Sequence, residues 1–160
     1  MLWGELSKCD ALVFDLRDGW GGADLDYLNL FRKPILVMNS TTKEGDIIPY
    51  TGVWGKPVVL LINNRSASGK EIFAYGFKKL ALGTIIGEQT AGAVVSGSPY
   101  MLSNGDVLYL AVRNVYVDDK RLEGIGVQPD ISIERPFKFE TFDPQLERAV
   151  EELSAKMKDG

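Results

Sequence analysis

Val58-Val59-Leu60-Leu61-Ile62 runs directly into Asn63-Asn64-Arg65-Ser66-Ala67-Ser68-Gly69-Lys70-Glu71-Ile72-Phe73, and the change of pattern along this stretch decides the fold. The first part is a short, continuous apolar run, which reads as a strand buried on both faces. The last part opens a helix, because Ile72, Phe73, Phe77 and Leu80 fall at helical spacing. A core strand therefore turns sharply into a helix at Ser68. The hydroxyl there is exposed beside helix N-terminal N–H groups, which favour negative charge. A serine nucleophile passing through an oxyanion intermediate needs both features. The same residues also read as a plain helix cap, since Ser68 and Glu71 have capping-box spacing. Lys70 fits the cap less well, because the macrodipole disfavours a cation in the first turn.

Working outward, the chain of 160 residues has the size of one domain with a proper core. Its hydrophobic and charged content is that of an ordinary soluble protein, and its net charge of −4 comes without any basic run, so nucleic acid is excluded as a partner class. No apolar stretch is long enough to span a membrane. Residues 1–5 have neither a basic n-region nor an apolar h-region, so no signal peptide is read there. Cys9 is the only cysteine and there is no histidine. An internal disulfide and a complete Ser-His-Asp triad within the chain are thereby ruled out, and neither a metal nor a cofactor is expected.

Ala11 to Leu16 reads as a second buried strand that ends in Arg17-Asp18-Gly19-Trp20-Gly21-Gly22. Strand, Gly-rich turn and a short helix carrying Leu25, Leu28 and Phe31 are the layout of a backbone anion site or of a plain tight turn. Ile35 to Met38 is a short strand, Ser40 to Gly45 a polar loop, and Ile47 to Trp54 an edge strand with Pro49 near its start. Leu82-Gly83 stops the Ser68 helix. Thr84 to Gly87 is a strand and Thr90 to Pro99 a small-residue loop. Asn104-Gly105-Asp106 joins two apolar runs as a hairpin, and Asp118 to Lys120 makes a second reversal. Leu122 to Ile131 is a Gly- and Pro-punctuated loop that enters a terminal strand. Asp143 and Pro144 begin the last helix, whose stripe Leu146, Val150, Leu153 and Met157 docks on the body or on a partner. Trp20, Tyr100 and Met101 either line a channel or lie in the core. The whole is a mixed α/β sheet with flanking helices, one domain over residues 1–160 with a docking helix at 143–158.

Four of these stretches together resemble the C-terminal processing (tail-specific) serine proteases and their tricorn-type relatives. Ala11 to Gly22 resembles the D-L-R-x-N-x-G-G strand and turn. Asn63 to Phe73 resembles the serine motif N-x-x-(S/T)-A-S-x-x-E-I-F, Gly87 to Gly92 resembles G-E-x-T-x-G, and Gly124 to Ile131 resembles G-x-G-V-x-P-D-I. The match covers about Ala11 to Ile133. It implies a crotonase-like α/β core and endopeptidase action on polypeptides near their C-termini. It also implies a parent protein exported to the periplasm or envelope. It maps the nucleophile onto Ser68, with Ser66 as its neighbour, and the oxyanion donors onto Gly21, Gly22 and Gly69.

One position departs from the resemblance. The processing proteases carry a lysine base in T-x-G-K, and this chain has Ala93 there. A serine without a base is a poor nucleophile at neutral pH. Three readings stay open. The base is a histidine upstream of this segment, as in tricorn-type relatives, with Glu123 completing the triad and the chain being part of a larger core. Alternatively Lys70 is the base, although residues two apart on a helix do not face each other. Or catalysis is lost and the fold binds peptides or apolar ligands. Glu123 also reads as a loop carboxylate paired with Arg121 or Lys120. If preceding strands complete the sheet, an exposed edge makes a homo-oligomer an expectation.

Overall fold

The computed structural model describes residues 6, 8–31, 38–41, 43, 47–50, 54–135 and 142–158. Strand β1 (Leu12–Asp15) is followed by a 3-10 helix (Leu25–Phe31) and by β2 (Met38–Thr41) and β3 (Ile47–Tyr50). Strand β4 (Val58–Ile62) leads into helix α1 (Gly69–Lys79), then β5 (Thr84–Gly87). Four short or exposed strands follow, β6 (Ser96–Met101), β7 (Val107–Arg113), β8 (Tyr116–Val117) and β9 (Lys120–Arg121). The described chain closes with β10 (Ile131–Ser132) and helix α2 (Pro144–Lys158).

The central sheet is parallel, in the order β1-β4-β5-β10, with Phe14 opposite Leu60 and Leu60 opposite Ile85. The antiparallel pairing forms separate two-stranded ladders, β2–β3, β6–β7 and β8–β9. Parallel strands need covered faces, and β4 shows how the sequence supplies them. Val58, Leu60 and Ile62 point to one side, against Phe73 and Phe77 of α1, while Val59 and Leu61 point to the other, against Ala149 and Leu153 of α2. A helix covers each face, so β4 reads as unbroken apolar sequence. Each of its side chains contributes roughly 1.5–3 kcal/mol by leaving water. Phe14, Phe31, Phe73 and Phe77 form an aromatic cluster that clamps the 3-10 helix between β1 and α1, with Phe14 and Phe31 centred 5.3 Å apart.

Several expectations are corrected. The buried face of α2 is Gln145, Ala149 and Leu153, whereas Leu146, Val150 and Met157 are exposed. Polar anchors turn the helix this way. Gln145 Nε2 donates to the Ile133 carbonyl at 2.7 Å and Arg17 donates to Gln145 Oε1 at 2.9 Å, while Lys156 Nζ donates to Thr84 Oγ1 at 2.7 Å. Helix α1 buries Phe73, Ala74 and Phe77 but leaves Leu80 exposed. It ends in a Schellman motif at Ala81 (φ 49°), where the Leu82 amide donates to the Phe77 carbonyl, and not at Gly83. Ser40 and Thr41, read as loop, pair with Ile48 and Ile47. Ile35 to Val37 and residues 51–53 lie outside the described residues. Ser96 to Pro99, also read as loop, belongs to β6; Gly97 has no side chain because the Tyr109 ring lies across it.

Candidate active site

The strand β4 ends at Asn63, and its next residues build a corner by local hydrogen bonding. Ser66 is fully buried, its Oγ donating to the Leu16 carbonyl at 3.0 Å and accepting from the Asn63 amide at 3.0 Å. That hydroxyl is occupied and closed to substrate. Asn63 in turn donates through Nδ2 to Asp18 Oδ1 at 3.0 Å, tying the corner to the turn after β1. Together with the Arg135 guanidinium, this contact holds the Asp18 carboxyl below the usual carboxylate range.

Ser68 differs from its neighbour in every respect. It is half-buried and has φ 57°, ψ −124°. An ordinary N-cap sits in the β region; a non-glycine residue in this conformation is strained, and such strain collects at functional sites. The Glu71 half of a capping box is present, the Ser68 amide donating to Glu71 Oε2 at 3.1 Å. Capping alone does not require the positive φ. A sharp, strained strand-to-helix turn is the geometry that exposes a nucleophilic hydroxyl at the top of a sheet.

Two loops flank this turn. On one side, the segment after β1 pairs with it through a parallel bridge between Trp20 and Ala67. Gly21 and Gly22 take φ 60° and 57°, which carries the chain around Gly69. A Cβ on Gly69 would lie 2.6 Å from the Ala23 nitrogen and 3.1 Å from the Gly22 nitrogen, so only glycine fits there. The Gly21 N–H is taken by the Ala67 carbonyl at 3.3 Å. Among the described residues the Gly22 and Ala23 amides, against Gly69, have no backbone partner, and neither has the Trp20 amide.

On the other side, residues 90–95 form a strap. The Ala93 carbonyl accepts from the Ser68 amide at 2.8 Å, so position 93 adjoins Ser68 directly. Glu71, fully buried, holds this strap in place. Its carboxylate accepts from Thr90 Oγ1 at 2.6 Å, the Gly92 amide at 2.7 Å and the Ala93 amide at 2.8 Å. Thr90 Oγ1 also accepts from the Val127 amide at 2.7 Å, and Glu123 Oε2 accepts from Val94 and Val95 at 2.6 and 3.0 Å. The four sequence motifs thus meet in one hydrogen-bonded unit. An open groove of about 940 Å³ runs beside it, between Asn64, Glu88, Ala91, Ile125 and Arg135.

Ser68, Gly22 and Gly69 come together, and Glu123 reaches the strap at the Val94 and Val95 amides, directly after Ala93. Glu123 forms no ion pair with Arg121 or Lys120 among the described residues. Among the described residues both of its hydrogen bonds use Oε2, which leaves Oε1 for another donor. The stem of Lys70 lies along Gly19, its Cε 3.1 Å from where a Gly19 Cβ would be, and it makes no hydrogen bond to Ser68. Trp20, Tyr100 and Met101 are all exposed. In the sequence Glu71 reads only as a capping partner. The available signal was its place on the buried face of α1 with Ala74 and Phe77, where an acid needs several donors.

Residues 2–133 match the model of peptidase family S41. The chain belongs to this family. Among S41 relatives, the tricorn protease of Thermoplasma volcanium is 34% identical over 155 residues, taking in 92% of this chain and 15% of the relative. A carboxy-terminal-processing protease of Bartonella bacilliformis is 29% identical over 151 residues, 87% of this chain and 35% of the relative. The crystal structure of the tricorn protease superposes with a TM-score of 0.80 at 28% identity, covering 93% of this chain and 15% of that one. The photosystem II D1 C-terminal processing protease superposes with a TM-score of 0.57 at 28% identity, covering 82% and 37%. The chain therefore spans roughly a seventh to a third of the length of these S41 proteins. Membership supports a peptidase function, and the α/β class with its parallel sheet and flanking helices is that of S41 structures.

Proposed function

We propose that this chain is the nucleophile-bearing core of a serine endopeptidase that cleaves polypeptides near their C-termini. The observation that carries the proposal is Ser68, strained at a strand-to-helix turn against the Gly22, Ala23 and Gly69 backbone. Ser68 Oγ attacks the scissile carbonyl carbon and gives its proton to a base. The carbonyl oxygen becomes an oxyanion held by the Gly22 and Gly69 amides, with Gly21 supplying the turn and Ala23 a neighbouring donor. Collapse of the intermediate breaks the C–N bond, the amine leaves with the proton, and water then releases the acyl group from Ser68.

With no histidine in the 160 residues, the base in this reading is an imidazole supplied by polypeptide outside them, oriented by Glu123 through Oε1. Lys70 is the weaker base, because its stem follows Gly19. The proposal includes an envelope location for the intact protein. Among the described residues no helix is long and apolar enough to cross a membrane. A specific observation favours a second reading: Ala93 stands beside Ser68 where a lysine base would act, which suits a peptide-binding module that has lost catalysis.

Labelling by a fluorophosphonate probe, with and without added imidazole, separates these readings. The peptidase reading expects imidazole to accelerate labelling at neutral pH, Ser68→Ala to abolish it and Lys70→Ala to leave it unchanged. Labelling that is independent of imidazole and lost in Lys70→Ala moves the base to Lys70. Folded protein that never labels supports the binding module.

A further inference from the structure

Trp20 is one residue from the Gly21–Gly22 turn, yet the chemistry above does not use it. It is 88% exposed, an unusual state for the most costly side chain to leave in water. The neighbouring backbone explains how it is presented. The Gly19 carbonyl accepts from the Ala67 amide at 3.1 Å and the Gly21 amide donates to the Ala67 carbonyl at 3.3 Å. In an extended segment, alternate residues direct their N–H and C=O to opposite edges. The N–H and C=O of Trp20 itself therefore point away from Ala67, and neither has a partner among the described residues. The residue offers a free donor–acceptor pair and an apolar plate at the rim of the oxyanion turn.

We propose that Trp20 is a specificity-determining residue that takes an extended segment of the polypeptide substrate by backbone pairing, its indole covering an apolar side chain next to the scissile bond. The proposal rests on the peptide-handling reading of the site but not on Ser68 being reactive. Trp20 is two residues from Gly22 in the chain, so a peptide whose scissile carbonyl lies at the Gly22 and Gly69 amides passes Trp20 within about two residues, at roughly 3.3 Å per residue of extended chain. Strand addition supplies affinity in a way that is blind to sequence, and the side-chain contact supplies the choice. Aromatic anchors of this kind carry a disproportionate share of recognition energy.

The test is a titration of fluorescein-labelled peptides against the Ser68→Ala protein by anisotropy, which prevents turnover. Two peptides differ only in Leu or Ser at the position flanking the cleavable bond, and that position is scanned along the peptide. The expected result is about tenfold tighter binding of the Leu peptide at one register, a preference erased by Trp20→Ala and kept in part by Trp20→Phe. Trp20→Ala is expected to fold as the parent does, checked by its thermal melt, because the side chain is exposed. Equal binding of both peptides, no binding of either, or a preference that survives Trp20→Ala overturns the proposal. Failure of Ser68 to label, with the Trp20-dependent preference intact, instead counts against the peptidase reading alone.

Discussion

The corner around Ser68 and the ribbon of β6 and β7 solve opposite problems. In the corner, Glu71, Ser66, Asn63 and Thr90 are buried, and each satisfies backbone groups of a different segment. In the ribbon, every residue of β7 is exposed, including Val107, Leu108, Tyr109, Leu110 and Val112. The corner is polar and closed, whereas the ribbon is apolar and open. Burial here follows hydrogen-bond connectivity between segments more closely than it follows hydrophobicity. A strained serine can persist only where its surroundings fix it from several sides.

The sharpest way to break this contrast is Glu71→Ala. It strands the Thr90 hydroxyl and the Gly92 and Ala93 amides, and should cost about 3 kcal/mol of stability by denaturant titration. It should also abolish imidazole-dependent labelling. A loss under about 1 kcal/mol would mean that water replaces the carboxylate and that the corner is not a closed unit.

Next comes Gly69→Ala, whose methyl collides with the Ala23 and Gly22 nitrogens. A cost of about 2 kcal/mol is expected, with labelling reduced at least as strongly as stability. Unchanged labelling would show that the Gly22 turn is not part of the site.

A smaller effect tests the support beneath the corner. Arg17 bridges Asp15 at 2.7 Å and Asp143 at 2.8 Å, which joins the turn after β1 to α2. Burial opposes the Asp143 charge, but the Leu146 amide and the Arg17 guanidinium outweigh it and hold its pKa below the ordinary value. A depressed carboxylate stabilises the fold above its unfolded pKa and ceases to do so as pH falls through its folded pKa. Asp143→Asn should therefore cost about 1 kcal/mol at pH 7, and the difference from wild type should shrink as pH falls below the ordinary carboxylate range. A difference constant with pH would assign the effect to the cap alone.

The smallest effect belongs to the ribbon. Leu110→Ser should change stability by no more than about 0.5 kcal/mol, since the side chain is already half exposed. A cost above about 2 kcal/mol would mean that the ribbon is covered in solution and that the contrast is false.

The sequence was legible where one segment carries its own signal. Val58 to Ile62 has no polar residue and became the central strand; Asn104-Gly105 became the turn between β6 and β7; Asp143 and Pro144 became the start of α2. It was illegible where the outcome depends on a distant segment. The face of α2 is set by Arg17 and Ile133, not by its own apolar stripe, so Leu146 and Val150 face solvent. The helix stop at Ala81 lacks the glycine that would have marked it. The site was half legible. Ser68 and the glycine turn could be read from pattern, but the closure of Ser66 and the four-donor role of Glu71 arise only when loops far apart in sequence meet.

The most direct measurement is to map the fluorophosphonate adduct by peptide mass spectrometry after labelling the folded wild-type chain with imidazole present. A single adduct is expected on Ser68 and none on Ser66, whose hydroxyl is buried between Leu16 and Asn63. An adduct on Ser66, or no adduct on Ser68 in protein shown to be folded, would contradict that expectation.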